Sequence, residues 1–363
     1  MAVLTNRIVY KQSLAELGGG SFDNHEFIIS LNDKKSGLKA YIAIHNTNLG
    51  SALGGTRMAH YSSDIEALKD VLNLSKAMSY KCALANLPYG GGKGVIIIDD
   101  RLDRDQTLLA YGRLVEKLKG LFKTGTDVGI SDDDVKEMAT QTSYMLGVVE
   151  ADRADLNTSN VAALGVFCAM KATLRNLYGN TDFKGKKIAV KGVGKLGAEL
   201  TRLAQNAGAN VIIADVDSVK TQSLKKQLQN VTISSVDEIH QQEVDIYSPC
   251  ALGNDLTPKI VGELRCKAVA GGANNQLSDI ESGDLLSQLG ILYAPDYISN
   301  AGGLIYVADE LEPGGFDKDR VIRRTKAIED TMNTIFQQAS QQHVSTHRIA
   351  DKLALERING SKK

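Results

Sequence analysis

The stretch KIAVKGVGKLGAELTRLAQNAGANVIIAD, which ends on Asp215, constrains the fold of this chain more than any other. An apolar strand leads into a glycine turn, the turn opens an amphipathic helix, and a second apolar strand ends on an acidic residue. Gly192, Gly194 and Gly197 stand in GxGxxG register within it. A strand–helix–strand unit of this kind lays its two strands parallel in one sheet, because the crossover between them is right-handed. Further short apolar runs follow at VDIYSP (244–249), CKAVAGG (266–272) and ILYAPDY (291–297). Residues 149–329 therefore read as a doubly wound parallel sheet of the Rossmann type. It is introduced by a long apolar helix (161–179) that stops at Gly179, a natural C-cap.

Such a unit is expected to bind a dinucleotide. The glycines let the backbone turn tightly and approach a pyrophosphate, which rests on the helix N-terminus. Asp215 is expected to accept hydrogen bonds from the adenine-ribose hydroxyls. Its charge would repel a 2′-phosphate, which favours NAD over NADP. Lys195 inside the loop and Asp217 after the strand leave that choice open, and a glycine turn in an unliganded domain is the alternative.

A chain of 363 residues is long enough for two domains, and residues 1–148 have a different texture. LKAYIAIHN (38–46) alternates like a strand, and residues 63–85 carry apolar residues at helical spacing, with Ser63 and Glu66 set as a capping box. VIIIDD (95–100) reads as a strand and 107–122 as an amphipathic helix. A helix at about 330–363 is free to pack back on this first domain. The whole is an α/β chain of two domains with a cleft between.

LPYGGGKGVI (87–96) is the unusual segment of the first domain. It reads as a pliant glycine loop that delivers Lys93 just ahead of a buried strand. Lys81 ends the helix at 63–85. Two amines converging on one cleft would depress each other's proton affinity, desolvation would act in the same direction, and such a lysine serves as a general base.

Composition excludes several classes. Lys plus Arg (42) and Asp plus Glu (43) balance, so no global field attracts nucleic acid or a membrane surface. There is no Trp to stack on bases, and no apolar run approaches the roughly 20 residues of a bilayer span. The opening residues lack the basic-then-apolar form of a signal peptide, and the four cysteines have no CxxC spacing, so a cytoplasmic protein with free thiols is expected.

LGGTRM (53–58), SYKCALANLPYGGGKGVI (79–96), TGTDVGIS (124–131), GVGKLG (192–197), PCALGNDL (249–256), GGANNQL (271–277) and YAPDYISNAGGLIYVADEL (293–311) occur in this order. Together they resemble the glutamate, leucine, phenylalanine and valine dehydrogenases, most nearly the leucine/phenylalanine/valine branch. The resemblance implies NAD-dependent oxidative deamination of an amino acid to its 2-oxo acid and ammonia, in a homo-oligomer. By position, Lys93 matches the catalytic lysine that activates water, and Asp127 the aspartate that shuttles protons at the substrate nitrogen. Lys81 matches the lysine that binds the substrate carboxylate. Gly54 and Gly55 match backbone lining the substrate, and Asn275 and Asn300 the asparagines near substrate and nicotinamide. The cofactor-contacting positions implied are Gly192, Val193, Gly194, Lys195, Leu196 and Gly197, then Asp215 and Val216, then Cys250, Ala251 and Asn274.

The resemblance also implies a side-chain pocket of Leu53, Gly125, Leu304 and Val307. Glutamate-specific relatives carry a lysine where this chain has Leu53, so a second substrate carboxylate would be left unpaired there. An apolar substrate is expected, leucine, valine or isoleucine first and phenylalanine as the alternative. Gly125 favours the phenylalanine enzymes, and Leu304 takes some of that space back. Ala162-Ala163 stands where relatives often carry Thr-Ala, which removes a hydroxyl from the nicotinamide end, and Ser51 stands where a proline is common. A non-catalytic sensor of NAD or amino acid is a remoter alternative, but it would be expected to lack one of Lys81, Lys93 or Asp127. A hydroxy-acid dehydrogenase would call for a histidine paired with a carboxylate. His343 and His347, four apart on a predicted helix, lack the third ligand of a metal site, and no metal is expected. Asp132–Asp134 read as a helix N-terminus and Cys250 as a buried strand residue.

Overall fold

A computed structural model describes residues 21–99, 103–148 and 156–360. Residues 1–20, 100–102, 149–155 and 361–363 lie outside the described residues, and with them Asp100 of the expected strand, the expected domain boundary and the end of the helix expected at about 330–363. The chain divides into two compact units, Met1–Glu150 with Arg357–Lys363, and Ala151–Glu356.

In the first unit β1 (Phe27–Asp33), β2 (Leu38–Asn46), β3 (Ala52–Leu53), β4 (Thr56–Ala59), β5 (Gly90–Ile97) and β6 (Phe122–Lys123) form one sheet in the order β1-β2-β5-β3-β6. β2 runs antiparallel to β1 and β5. β3 and β4 both run parallel to β5, as two pieces of one line broken at Gly54-Gly55. Alternation along the strands sorts side chains to the two faces. Ala43 and Val95 pack under α1 (Asp64–Leu84) with Leu68, Val71 and Leu72. Ile42, Ile44 and Ile96 face the other way, into a core with Tyr111 of α2 (Arg104–Lys117) and Met138 of α3 (Asp132–Ala139).

Gly90–Gly94, expected from the sequence as a pliant loop, lie inside β5. The reason is close approach rather than freedom. A Cβ on Gly91 would sit 2.1 Å from the Ser79 backbone nitrogen of α1, and one on Gly94 would sit 1.9 Å from Tyr111 Oη. Only glycine lets helix and tyrosine lie that near the strand.

Two further boundaries differ from expectation. α2 stops at Lys117 because Lys119 and Gly120 take positive φ, and Phe122 then pairs with Ala52 in β6. Ser63 caps α1 by accepting from the Glu66 N–H, but Glu66 Oε2 accepts from Ser62 instead of closing the box on Ser63. α3 has the complete box, Ser131 with Asp134.

In the second unit β7 (Lys187–Lys191), β8 (Asn210–Ala214), β9 (Val231–Ile233), β10 (Val244–Pro249), β11 (Cys266–Val269) and β12 (Leu292–Tyr293) make an all-parallel sheet ordered β12-β11-β10-β7-β8-β9. The chain starts at β7 in the middle and winds outward in both directions, with α6 (Ser218–Gln227), α7 (Pro258–Glu263) and α8 (Ile280–Gln288) between its later strands and α9 (Asp296–Ser299) after β12. A ligand crevice therefore falls at the carboxyl ends of β7 and β10. α4 (Thr158–Tyr178) ends at Gly179, φ +74°. It packs against α5 (Lys195–Asn206), α10 (Gly302–Ala308), α11 (Lys318–Lys326) and α12 (Ile328–Gln342). The tail helices 318–342 thus belong to the second unit, and within α13 (Thr346–Gly360) the residues from Arg357 onward group with the first. His343 and His347 do not share a helix: His343 ends α12 at φ +55°, and His347 lies in α13. No helix among the described residues is long and apolar enough to cross a membrane.

Candidate active site

Lys93 lies on β5 in register with Ala43, on the face that α1 covers, and is 5% exposed. A lysine so buried needs an anionic partner. Its Nζ meets Oδ2 of Asp127 at 2.5 Å. Asp127 sits in the tight turn 127–130, closed by the Ile130 N–H donating to the Asp127 carbonyl. The turn is fastened to β4 by the Met58 N–H donating to the Val128 carbonyl, and to α2 by Arg104 donating to the Gly129 carbonyl. Burial pushes the Asp127 carboxyl up, but Lys93 and then Arg57 outweigh it and hold the group below the usual carboxylate value.

Arg57, on β4, donates from Nε to Asp127 Oδ1 at 3.0 Å and from Nη1 to Asp70 Oδ2 at 2.9 Å. Neither Arg57 nor Asp70 was expected from the sequence. The available signal was an arginine on a short strand between buried Thr56 and Met58, with the parity that turns it to the α1 face.

Lys81 lies in the last turn of α1, half-buried, two residues beyond the Ser79 that abuts Gly91. Gly54 and Gly55 form the break between β3 and β4, and their backbone is held by Lys123 and Gly94: the Gly54 N–H donates to the Lys123 carbonyl, and Gly55 accepts from the Gly94 N–H. Leu53 is buried on β3. Gly125 accepts from the Thr56 N–H, and the space a side chain would take there meets the Leu146 carbonyl oxygen at 2.9 Å.

In the second unit the glycine loop leaves the carboxyl end of β7. Gly192 has φ +95°, and a Cβ on Gly197 would lie 1.9 Å from the Gly192 carbonyl oxygen, so turn and helix contact both require glycine. Val193 is buried within the loop, Leu196 is half-buried, and Gly194 and Lys195 are exposed. Gly194 is the N-cap of α5 without a side-chain cap, and the position of its missing Cβ is open space. Open backbone N–H groups at a helix start suit a phosphate. Asp215, at the end of β8, accepts from the Val193 and Asp217 N–H groups at 2.8 and 2.9 Å. Val216 beside it is 90% exposed. Cys250, half-buried, and the exposed Ala251 follow β10 at the adjacent strand end, and burial pushes the Cys250 thiol up.

Asn300 is 5% exposed, and its Nδ2 donates to the Gly272 and Ala273 carbonyls and to Asn274 Oδ1, which fixes the amide's orientation. Its Oδ1 is buried with no hydrogen-bond partner among the described residues. An unmet buried acceptor costs about 1–3 kcal/mol, and an amide N–H of a bound ligand would satisfy it. Asn275, exposed at φ +51°, donates its N–H to Asp296. Leu304 and Val307 lie one turn apart on α10, buried and half-buried. Ala162 lies on α4 beside Gly302, where an added Cβ would meet the Ala162 Cα at 3.0 Å. The uncapped helix start, the glycine turn, the acidic strand end and the orphaned Asn300 acceptor together fit a nicotinamide dinucleotide.

The sequence matches the family described as Glu/Leu/Phe/Val dehydrogenase, dimerisation domain, over residues 25–150. It matches Glutamate/Leucine/Phenylalanine/Valine dehydrogenase over residues 213–363. Phenylalanine dehydrogenase of Thermoactinomyces intermedius is 45% identical over 336 residues, 92% of this chain and 91% of that one. Leucine dehydrogenase of Bacillus cereus is 40% identical over 338 residues, with 92% and 91% covered. The crystal structure of L-tryptophan dehydrogenase from Nostoc punctiforme superposes with a TM-score of 0.84 at 38% identity, over 97% of this chain and 99% of that one. The chain belongs to the Glu/Leu/Phe/Val dehydrogenase family, nicotinamide-dependent oxidoreductases acting on the CH–NH2 group of amino acids.

Proposed function

We propose that this protein catalyses the reversible, NAD-dependent oxidative deamination of an apolar L-amino acid of the leucine, valine or isoleucine type. The products are the 2-oxo acid and ammonia. The observation that carries this reading is the contact of buried Lys93 with half-buried Asp127, an amine and a carboxylate brought together by a strand and a turn. The bound nicotinamide would supply the acceptor for the hydride that leaves the substrate α-carbon. Lys81 holds the substrate carboxylate. Asp127 takes and returns protons at the substrate nitrogen. Lys93 takes a proton from the water that adds to the imine carbon, and ammonia then leaves from the resulting carbinolamine. Asp215 supports NAD over NADP, since a ribose 2′-phosphate would meet a carboxylate already fixed by two backbone N–H groups.

Buried Leu53 favours an apolar substrate over glutamate. A second reading, phenylalanine as substrate, is favoured by the absence of a side chain at Gly125. The working form is a homo-oligomer, in keeping with the dimerisation-domain match of the first unit. The free cysteines suit a reducing cytoplasm. Absorbance of reduced cofactor, followed with NAD or NADP against leucine, valine, isoleucine, phenylalanine and glutamate, tests the whole reading. Turnover fastest with an apolar amino acid and NAD is the expected result. No reduction with any amino acid, or a preference for glutamate, overturns it.

A further inference from the structure

Arg57 is used by neither the substrate nor the cofactor reading, yet it is the second cation on Asp127. Its side chain is 23% exposed and held at both ends. Nε donates to Asp127 Oδ1 at 3.0 Å, and Nη1 donates to Asp70 Oδ2 at 2.9 Å and Oδ1 at 3.2 Å. Tyr61 donates its hydroxyl to Asp70 Oδ2 at 2.6 Å. The result is an alternating chain, Lys93–Asp127–Arg57–Asp70–Tyr61, drawn from β5, the 127–130 turn, β4, α1 and the segment before α1.

We infer that Arg57 is a positioning residue that dedicates one oxygen of Asp127 to itself, so that the other is presented to Lys93 and to the reacting nitrogen. The inference rests on the reading of Lys93 and Asp127 as the reacting pair. A carboxylate offered one buried cation can rotate until both oxygens share it. Asp127 cannot, because Oδ1 is held by a planar donor that Asp70 keeps in place. The guanidinium is always charged, so it is a fixed positive neighbour that does not exchange protons with the pair. Only arginine has the fork to reach Asp127 and Asp70 together, and a lysine at this position would keep the charge but lose one contact. The ionisable groups facing Asp127 in this arrangement are Lys93 and Arg57. Asp70 and Tyr61 stand one step behind Arg57.

The test is the pH profile of kcat/KM for amino-acid oxidation in Arg57→Gln, Arg57→Lys and Asp127→Asn, with cofactor binding and the unfolding midpoint measured on each. Arg57→Gln removes a fixed positive charge beside the pair, raises the pair's proton affinity and is expected to move the profile ~1 pH unit to the alkaline side. Its kcat falls by up to about 10²-fold through misplacement of Asp127, with little change in KM. Arg57→Lys keeps the wild-type profile while its kcat stays low. A loss of kcat in Arg57→Gln with an unmoved profile indicates only a structural role and overturns the inference. Should Arg57→Gln fail to fold, Arg57→Lys decides, since wild-type kcat in that variant overturns the inference equally. Full turnover in Asp127→Asn instead sinks the reading of the reacting pair, a result distinct from failure of the Arg57 inference.

Discussion

Lys93 and Asp127 meet through a 2.5 Å contact between Nζ and Oδ2, the lysine on a buried strand and the aspartate on a turn fastened to the neighbouring strand. Replacing Lys93 by alanine is expected to lower kcat by ~10²–10⁴-fold while leaving nicotinamide-cofactor binding intact. Turnover and a cofactor fluorescence titration on the same preparation check both halves. Stability should respond asymmetrically. Asp127→Ala takes the carboxylate from buried Lys93, leaves Arg57 with Asp70 alone, and is expected to cost on the order of 3 kcal/mol. Lys93→Ala costs less, because Asp127 keeps Arg57. Urea unfolding of the two variants compares them.

The glycines of β5 and of the dinucleotide loop predict opposite outcomes. Gly91→Ala drives a methyl to 2.1 Å from the Ser79 nitrogen, and the forced separation of α1 from the sheet should destabilise the protein by about 1–3 kcal/mol. Gly194→Ala meets nothing within 4 Å. Its unfolding midpoint should match the parent while cofactor affinity drops, because the methyl stands where a phosphate would approach. Thermal unfolding without cofactor, paired with cofactor titration, separates these effects.

His45 makes the first unit acid-sensitive. It is 6% exposed, packs edge-on against His25 at 4.9 Å and contacts Ser79 Oγ through Nδ1 at 2.8 Å. Burial, then the neighbouring His25, holds its pKa down to about 4, against 6.5 for a free histidine. Between those values the unfolded chain takes up a proton that the folded chain refuses. Stability is therefore full above pH 6.5, falls as pH falls, and has lost roughly 3 kcal/mol from this group below pH 4. His45→Gln should flatten that slope. Urea midpoints between pH 4 and 7 that fail to separate variant from parent would contradict the linkage.

Asp215 sets the expected cofactor preference. Asp215→Ser removes the carboxylate that would oppose a 2′-phosphate and should move the ratio of kcat/KM for NADP over NAD upward by roughly tenfold or more. The Val193 N–H loses its acceptor in this variant, so turnover with NAD is expected to fall as well. A ratio left unchanged would show that Asp215 does not govern the choice.

By itself, the sequence determined what is local. The β7–α5–β8 unit is contiguous, its glycines and Asp215 are near neighbours in the chain, and its right-handed connection leaves few alternatives, so the doubly wound sheet and its loop were legible from the order of the residues alone. Lys93 and Asp127 were each identified by motif resemblance, but their contact was not legible, because they come from separate segments. Only the tertiary structure decided that Lys93 faces a carboxylate, that Arg57 and Asp70 stand behind it, and that the glycine run is a strand pressed by Ser79 and Tyr111 rather than a supple loop. Strand pairing brings β4, β5 and the 127–130 turn side by side. Side-chain parity, set by the register of those strands, then decides which charges share the α1 face.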